Sequence, residues 1–508
     1  MVAIQKRKRL KLIRSLRIKH FNSVLLLAAV GLASNAQASS NVTTGGKSEV
    51  QSEHLVIAKQ GTQAPTLTAL LQSMQFRHPY SRAINEGSIQ AQADIDIAQS
   101  AFDPYVEQDS FSRVSGYYDG TSLQQRVIKP LENYNASLFS QYRVTNGDFP
   151  VYEQEYQTLS GGEASVGVAL SLLKGRDIDK RRVGMKNARL QAELWQAEAN
   201  LLLNEFIYKG ISDYLIWYES ALQVQAVQSL LNNAAEREKA ISTRVEKGDM
   251  AEIELTEFKA NILQQKLLVE TLKQKRDGYS RAVSYFWRDT NGEVIDLASV
   301  TTMPTNIEWP FWVGEAQVHA LKKRIAAHPV LTRLRIEQAQ NENKIALAQN
   351  TLLPKLDIKA SIARDIGAGA ASLEETEGKL GLSFSYPLGN RKAKAEVVKV
   401  QSKKRQIEDK LTATQERIVQ SFEQAYTYWQ QAKNIAALQQ QNARLARELS
   451  LMEQKRFDAG DSDMFVLNAR ASSEIKAQMK EIEAQVDLLK AELALYKVAA
   501  ALLSYDYQ

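Results

Sequence analysis

The chain has 508 residues, 44% hydrophobic and 24% charged, a balance that excludes an intrinsically disordered chain. Its net charge of +6 is concentrated in the first nineteen residues, which hold eight Lys or Arg and no acid; the remainder is near neutral and gives no ground for a nucleic-acid partner. Cysteine is absent, which excludes disulfides, thiolate metal sites and a lipid-modified N-terminal cysteine.

Residues 1–38 have the layout of a signal peptide. A basic stretch runs to Lys19, an apolar run follows from Val24 to Leu32, and Ala36-Gln37-Ala38 supplies a small-residue cleavage site, so cleavage is expected after Ala38. Residues 39–65 form an N-terminal extension. No later stretch approaches ~20 consecutive apolar residues, so no membrane-spanning helix is expected after the signal.

From there the sequence runs twice through one pattern. His78-Pro79 recurs as His328-Pro329 and Pro104 as Pro354, both at an offset of 250. SLLKG (171–175) is answered by SYPLG (385–389). Repeat 1 covers 66–287: a helix, a strand region at 104–174, a long helix at 176–246 and a returning helix at 250–287. A linking segment at 288–325 is expected to pack around the middle of the molecule. Repeat 2 covers 326–505: a helix, strands at 354–364 and 378–388, a long helix at 390–458 and a returning helix at 462–504.

The strands are read from period-two alternation. Leu356, Ile358, Ala360 and Ile362 alternate with Asp357, Lys359 and Ser361, and Leu380, Leu382 and Phe384 with Gly381 and Ser383. Val166, Val168 and Leu170 do the same in the first copy, where an opening strand near Tyr105 is weak and another candidate runs through Ala136, Leu138 and Tyr142. Segments of ~10 residues, apolar on one face, fit tilted transmembrane β-strands. About four strands per chain are expected. The extra length of the first copy, with its turn signal at Asn146-Gly147, reads as an enlarged loop or hairpin; two further strands are the alternative.

The long helices carry heptads. Leu194, Leu201, Tyr208, Leu215 and Leu222 are seven apart, and Ile475, Met479, Ile482, Val486, Leu489, Leu493, Tyr496, Ala500 and Leu503 alternate four and three, the pattern of antiparallel helices packed knobs into holes. Each hairpin turns at a Gly-Asp: Arg244, Gly248 and Asp249 recur as Arg456, Gly460 and Asp461, 212 residues on. Glycine suits the left-handed residue that ends a helix. Asp249 with Glu252 reads as a capping box, and Asp461, Ser462 and Asp463 offer caps for the last helix. These roles leave the two arginines without a reason, and docking of a partner would supply one.

In this order and at this doubled spacing, the HP…P, SLLKG/SYPLG and RFDAGDSDMFVLNAR motifs resemble the TolC-type outer-membrane channel family over residues 60–505. The resemblance implies an α+β membrane protein: a homotrimer whose 12-stranded β-barrel, four strands from each chain, stands in the outer membrane of a Gram-negative bacterium. The barrel would continue into the periplasm as a coiled-coil α-barrel, forming a passive conduit for tripartite efflux or type I secretion. It further implies that a periplasmic adaptor, bound to an inner-membrane pump, docks on the tips at Arg244, Gly248, Asp249, Arg456, Gly460, Asp461 and Ser462. Where some family members close the tunnel with aspartates, this chain reads MFVLNA from Met464, so negative charge from Asp461 and Asp463 or an apolar ring of Phe465 is the candidate periplasmic aperture. Assembly is required independently, because four strands cannot close a barrel and open edges are not viable in lipid. Eight strands from a dimer or twelve from a trimer would both close. A periplasmic coiled-coil scaffold without a barrel is the competing reading. The five histidines lack metal-ligand spacing and no nucleotide-binding loop occurs, so no enzyme and no cofactor are expected.

Overall fold

The computed structural model describes residues 66–297 and 307–504, all within one compact unit, Gly61–Gln508. The signal, the extension and part of the linking segment lie outside the described residues. Helix α1 (Leu67–Gln72) starts on a Thr66 side chain that accepts from the Ala69 amide, and a π-helical turn (Ser73–Arg77) leads to α2 (Pro79–Gln99). Strands β1 (Tyr105–Ser112), β2 (Thr121–Pro130), β3 (Ala136–Asn146) and β4 (Glu163–Ser171) follow, then the long helix α3 (Lys180–Glu246) and its return α4 (Glu252–Phe286). The second half comprises α5 (Glu315–Arg324), α6 (Pro329–Asn350), β5 (Lys355–Asp365), β6 (Glu377–Ser385), α7 (Arg391–Asp458) and α8 (Met464–Val498). At 67 and 68 residues, α3 and α7 each reach about 100 Å.

The strand count differs from the expected four. The chain forms one six-stranded antiparallel sheet in the order β1-β2-β3-β4-β5-β6, so the first half contributes four strands and the second two. The last helix also stops early: it ends at Val498, and Ala500 takes a left-handed turn (φ 49) before Leu503, so the heptad frame outruns the helix.

Both His-Pro pairs start a helix in the same way. Proline at the first helical position costs no hydrogen bond. Nδ1 of His78 accepts from the Tyr80 amide at 3.1 Å, which leaves the proton on Nε2, 3.1 Å from the Tyr285 carbonyl near the end of α4. His328 accepts from the Val330 amide at 3.2 Å and bonds the backbone of Val498 at the end of α8. Each imidazole thus caps one helix and holds the end of another. Burial pushes both rings below the usual histidine pKa, and the Arg288 and Arg82 guanidinium groups add to this at His78.

The waist is the best-packed region. Leu70, Met74, Ile207, Ile211, Trp217, Phe311 and Leu493 are fully buried where α1, α3, α8 and the linking segment meet. Burial of such a side chain contributes about 1.5–3 kcal/mol. Trp309 Nε1 donates to the buried Glu492 carboxyl at 2.7 Å, whose pKa burial raises. Lower down, Val227, Ile241, Ile262, Val269 and Ile475 form a second seam. The polar intrusion Gln265 is buried there and donates to Asn261 at 2.7 Å.

Helices lie in a row. Above the waist the order is α2-α3-α6-α7, and below it α4-α3-α8-α7, so α7 forms one margin and α2 with α4 the other.

Candidate docking tips and channel wall

The two hairpin tips have one backbone geometry. Gly248 (φ +76) and Gly460 (φ +84) are left-handed; the Asp249 amide bonds the Arg244 carbonyl and the Asp461 amide the Arg456 carbonyl, each at 2.9 Å. Both turns are exposed. The arginine side chains are engaged differently. Arg244 stacks over the Phe457 ring at 5.8 Å, joining the first tip to the second. Arg456 donates to the Asp461 carbonyl at 2.9 Å and pairs with Glu453, which also accepts from Ser462. Tying the tips is therefore one reason for these arginines that the sequence did not suggest.

Capping differs from expectation at the first tip. Helix α4 begins at Glu252 behind Ala251 with no side-chain cap, so the Asp249–Glu252 capping box does not form and Asp249 is left on the surface. At the second tip Asp463 is the cap, accepting from the Val466 amide at 2.8 Å. Phe465, beside it, is 73% exposed, whereas Met464 is buried.

The sheet is amphipathic over β3 to β6, while both faces of β1 and β2 are mixed. Register places Leu138, Val166, Val168, Leu170, Ile358, Ile362, Leu380, Leu382 and Phe384 on one face. That face has no protein cover: Leu380 is 78%, Leu382 68% and Phe384 66% exposed. The opposite face is polar and partly enclosed. Glu163 is buried there, 3.0 Å from Arg143 and 3.6 Å from Lys379. The four helix junctions sit at one end of the sheet. At the other end, loop 147–162 folds back over the polar face, where Phe149 and Tyr156 pack on Phe111, and Arg113 pairs with Glu153.

Sequence reasoning missed this charged cluster together with β2. On β2, Gln125 and Lys129 interrupt the apolar side while Ile128 lies on the polar one, so no period-two signal survives. The Asn146-Gly147 turn was the available clue, and Gly147 is left-handed (φ +99).

The chain thus combines a six-stranded sheet that has an uncovered apolar face with two helical hairpins, whose longer arms reach about 100 Å. Residues 320–501 match the family model described as outer membrane efflux protein. Across the described unit, the fold is that of VceC, an outer membrane protein of Vibrio cholerae, at 14% identity and a TM-score of 0.61, covering 85% of this chain and 96% of that one. It is also similar to the Neisseria gonorrhoeae MtrE outer membrane channel in its open state (12%, 0.58, 87% and 91%) and to the Campylobacter jejuni CmeC outer membrane channel (12%, 0.58, 86% and 85%). No curated protein sequence matches the chain.

Proposed function

We propose that the chain is one of three identical protomers of an outer-membrane channel, the passive exit duct of a tripartite efflux or type I secretion system. One observation carries this reading: the open margins of sheet and helices coincide. β1, α2 and α4 form one side of the protomer, and β6 and α7 the other. Each side leaves unpaired strand groups and uncovered apolar residues, Leu263 and Leu267 on α4, Leu438 and Leu445 on α7. A ring of like contacts satisfies both, because β6 of one chain pairs with β1 of the next and α7 seats against α2 and α4. Lipid then covers the apolar face, and the polar face lines the lumen. The scaffold alternative has no use for that apolar face.

At the far end, the exposed turns at Gly248-Asp249 and Gly460-Asp461 are the surface offered to a periplasmic adaptor, with Arg244, Arg456 and Ser462 holding them in shape. Phe465, pointing away from the seam, supplies the apolar aperture, since Asp463 is occupied as a helix cap.

Detergent extraction of outer membranes followed by native mass measurement tests the assembly. A three-chain particle is expected. A monomer recovered without detergent would refute the channel reading.

A further inference from the structure

The hairpin β2–β3 is built into the wall. It lies between β1 and β4, with eight register pairs to β1, ten within the hairpin and eight to β4. In the second half, β5 and β6 are direct neighbours with no such insert. Its helix-end turn is tied down at several points. Tyr134 and Asn135 are left-handed, and the Leu131 amide bonds the Ala136 carbonyl at 2.8 Å. Asn135 donates to Ser171 of β4 at 3.2 Å and accepts from Arg181 of α3 at 2.7 Å, while Lys129 donates to the Phe102 carbonyl at 2.8 Å. Phe139 of β3 lies over Gly167 of β4, where an added Cβ would fall 2.3 Å from the ring, and Lys359 of β5 caps that ring at 4.7 Å.

The outer face of the insert is also suited to hydrocarbon. Several of its polar groups find partners: Gln125 donates to Gln108 at 2.9 Å, Ser112 and Thr121 are 2.9 Å apart, and Lys129 and Tyr142 donate to the Phe102 and Gly161 carbonyls. Such pairing is needed where no water is available.

We propose that, in the trimer, the barrel has eighteen strands instead of twelve and that its widened exit serves hydrated polypeptide. This rests on the channel reading above. Strands about 4.8 Å apart and tilted roughly 40° give a backbone diameter of about 36 Å for eighteen against about 24 Å for twelve, a cross-section about 2.25 times larger. The lumenal face mixes both signs nearly evenly, with Glu107, Asp109, Glu163, Asp357, Asp365 and Glu377 against Arg126, Arg143, Lys355, Lys359 and Lys379. A wall of balanced charge holds neither acidic nor basic cargo strongly. Small solutes would not need the added width.

The test uses the full-length protein in detergent and in planar bilayers. A density map of the particle should show eighteen strands. Because the chain has no native cysteine, Ser137→Cys with Ala169→Cys reports whether β3 borders β4, and an intrachain disulfide is expected. Poly(ethylene glycols) of rising size, added on the loop side during conductance recording, should enter up to a radius roughly 1.5 times that tolerated by a variant whose β2–β3 hairpin is replaced by a short linker. A three-chain particle with twelve strands and no disulfide overturns this proposal while leaving the channel reading intact. Eighteen strands with equal polymer cut-offs in the two proteins overturns the cargo assignment. A soluble monomer overturns both readings.

Discussion

Replacing Gly460 with alanine tests the geometry of the second tip with little steric interference. At φ +84 the residue is left-handed, and a Cβ added there meets no heavy atom within 4 Å. The substitution therefore carries only the backbone cost of holding an L-residue in that conformation, about 1–2 kcal/mol. The penalty falls on the bonds that close the turn, Gly460 amide to Phe457 carbonyl at 3.1 Å and Asp461 amide to Arg456 carbonyl at 2.9 Å. Local opening should rise roughly 5- to 30-fold, read as faster hydrogen exchange of amides around 457–466 while strand amides in 377–385 are unchanged. Asparagine, which tolerates the left-handed region, should show a smaller effect. The reasoning is refuted if alanine and glycine exchange alike, or if the strands accelerate as much as the tip.

Four further outcomes are expected. Both His caps are lost on acidification: with folded pKa values below the unfolded value near 6.5, their contribution is present above about pH 7 and fades as pH falls through 6.5 and below, so melting should drop between pH 7.5 and 5.5 and flatten in an H78N/H328N variant that caps without titrating. At Gly87 an added Cβ would lie 1.9 Å from the Trp195 ring, so Gly87→Ala sets overpacking of about 1–3 kcal/mol against about 1 kcal/mol of helix propensity; thermal denaturation should show net loss, reversed by Trp195→Leu. Leu438→Lys or Leu267→Lys places a charge on an uncovered helix margin and should shift native mass from trimer to monomer without changing helical content by circular dichroism. A photocrosslinker attached at Asp249→Cys or Asp461→Cys should capture a periplasmic adaptor, whereas one at Lys322→Cys near the waist should not.

The legibility of this fold followed signal strength. Long heptads on α3 and α8 together carry a dozen concordant positions, so the hairpins could be read directly, and β4, β5 and β6 alternate cleanly because one face is largely apolar. β2 escaped because its two faces are chemically alike. The tips were read as Gly-Asp turns, which Gly248 and Gly460 are, but two details depended on three-dimensional neighbours. Asp249 does not cap α4, since the helix starts one residue beyond Ala251. Arg244 contacts Phe457 across 213 positions of sequence, a pairing that no local pattern encodes. The cluster of Arg143 and Lys379 around the buried Glu163 is likewise assembled from three separate strands.

The join between β4 and β5 has a consequence for biogenesis. Glu163–Ser171 hydrogen-bonds to residues 357–365, so the sheet cannot be completed until nearly three-quarters of the polypeptide has been made and exported. Until then β4 presents a naked border, and afterwards β1 and β6 still do. If the proposed channel forms, a lone subunit arriving at the lipid would carry unsatisfied amides at both flanks, and insertion and ring formation would be a single cooperative event. In the proposed channel, newly made chains would need shielding from indiscriminate strand-to-strand adhesion while they await their companions.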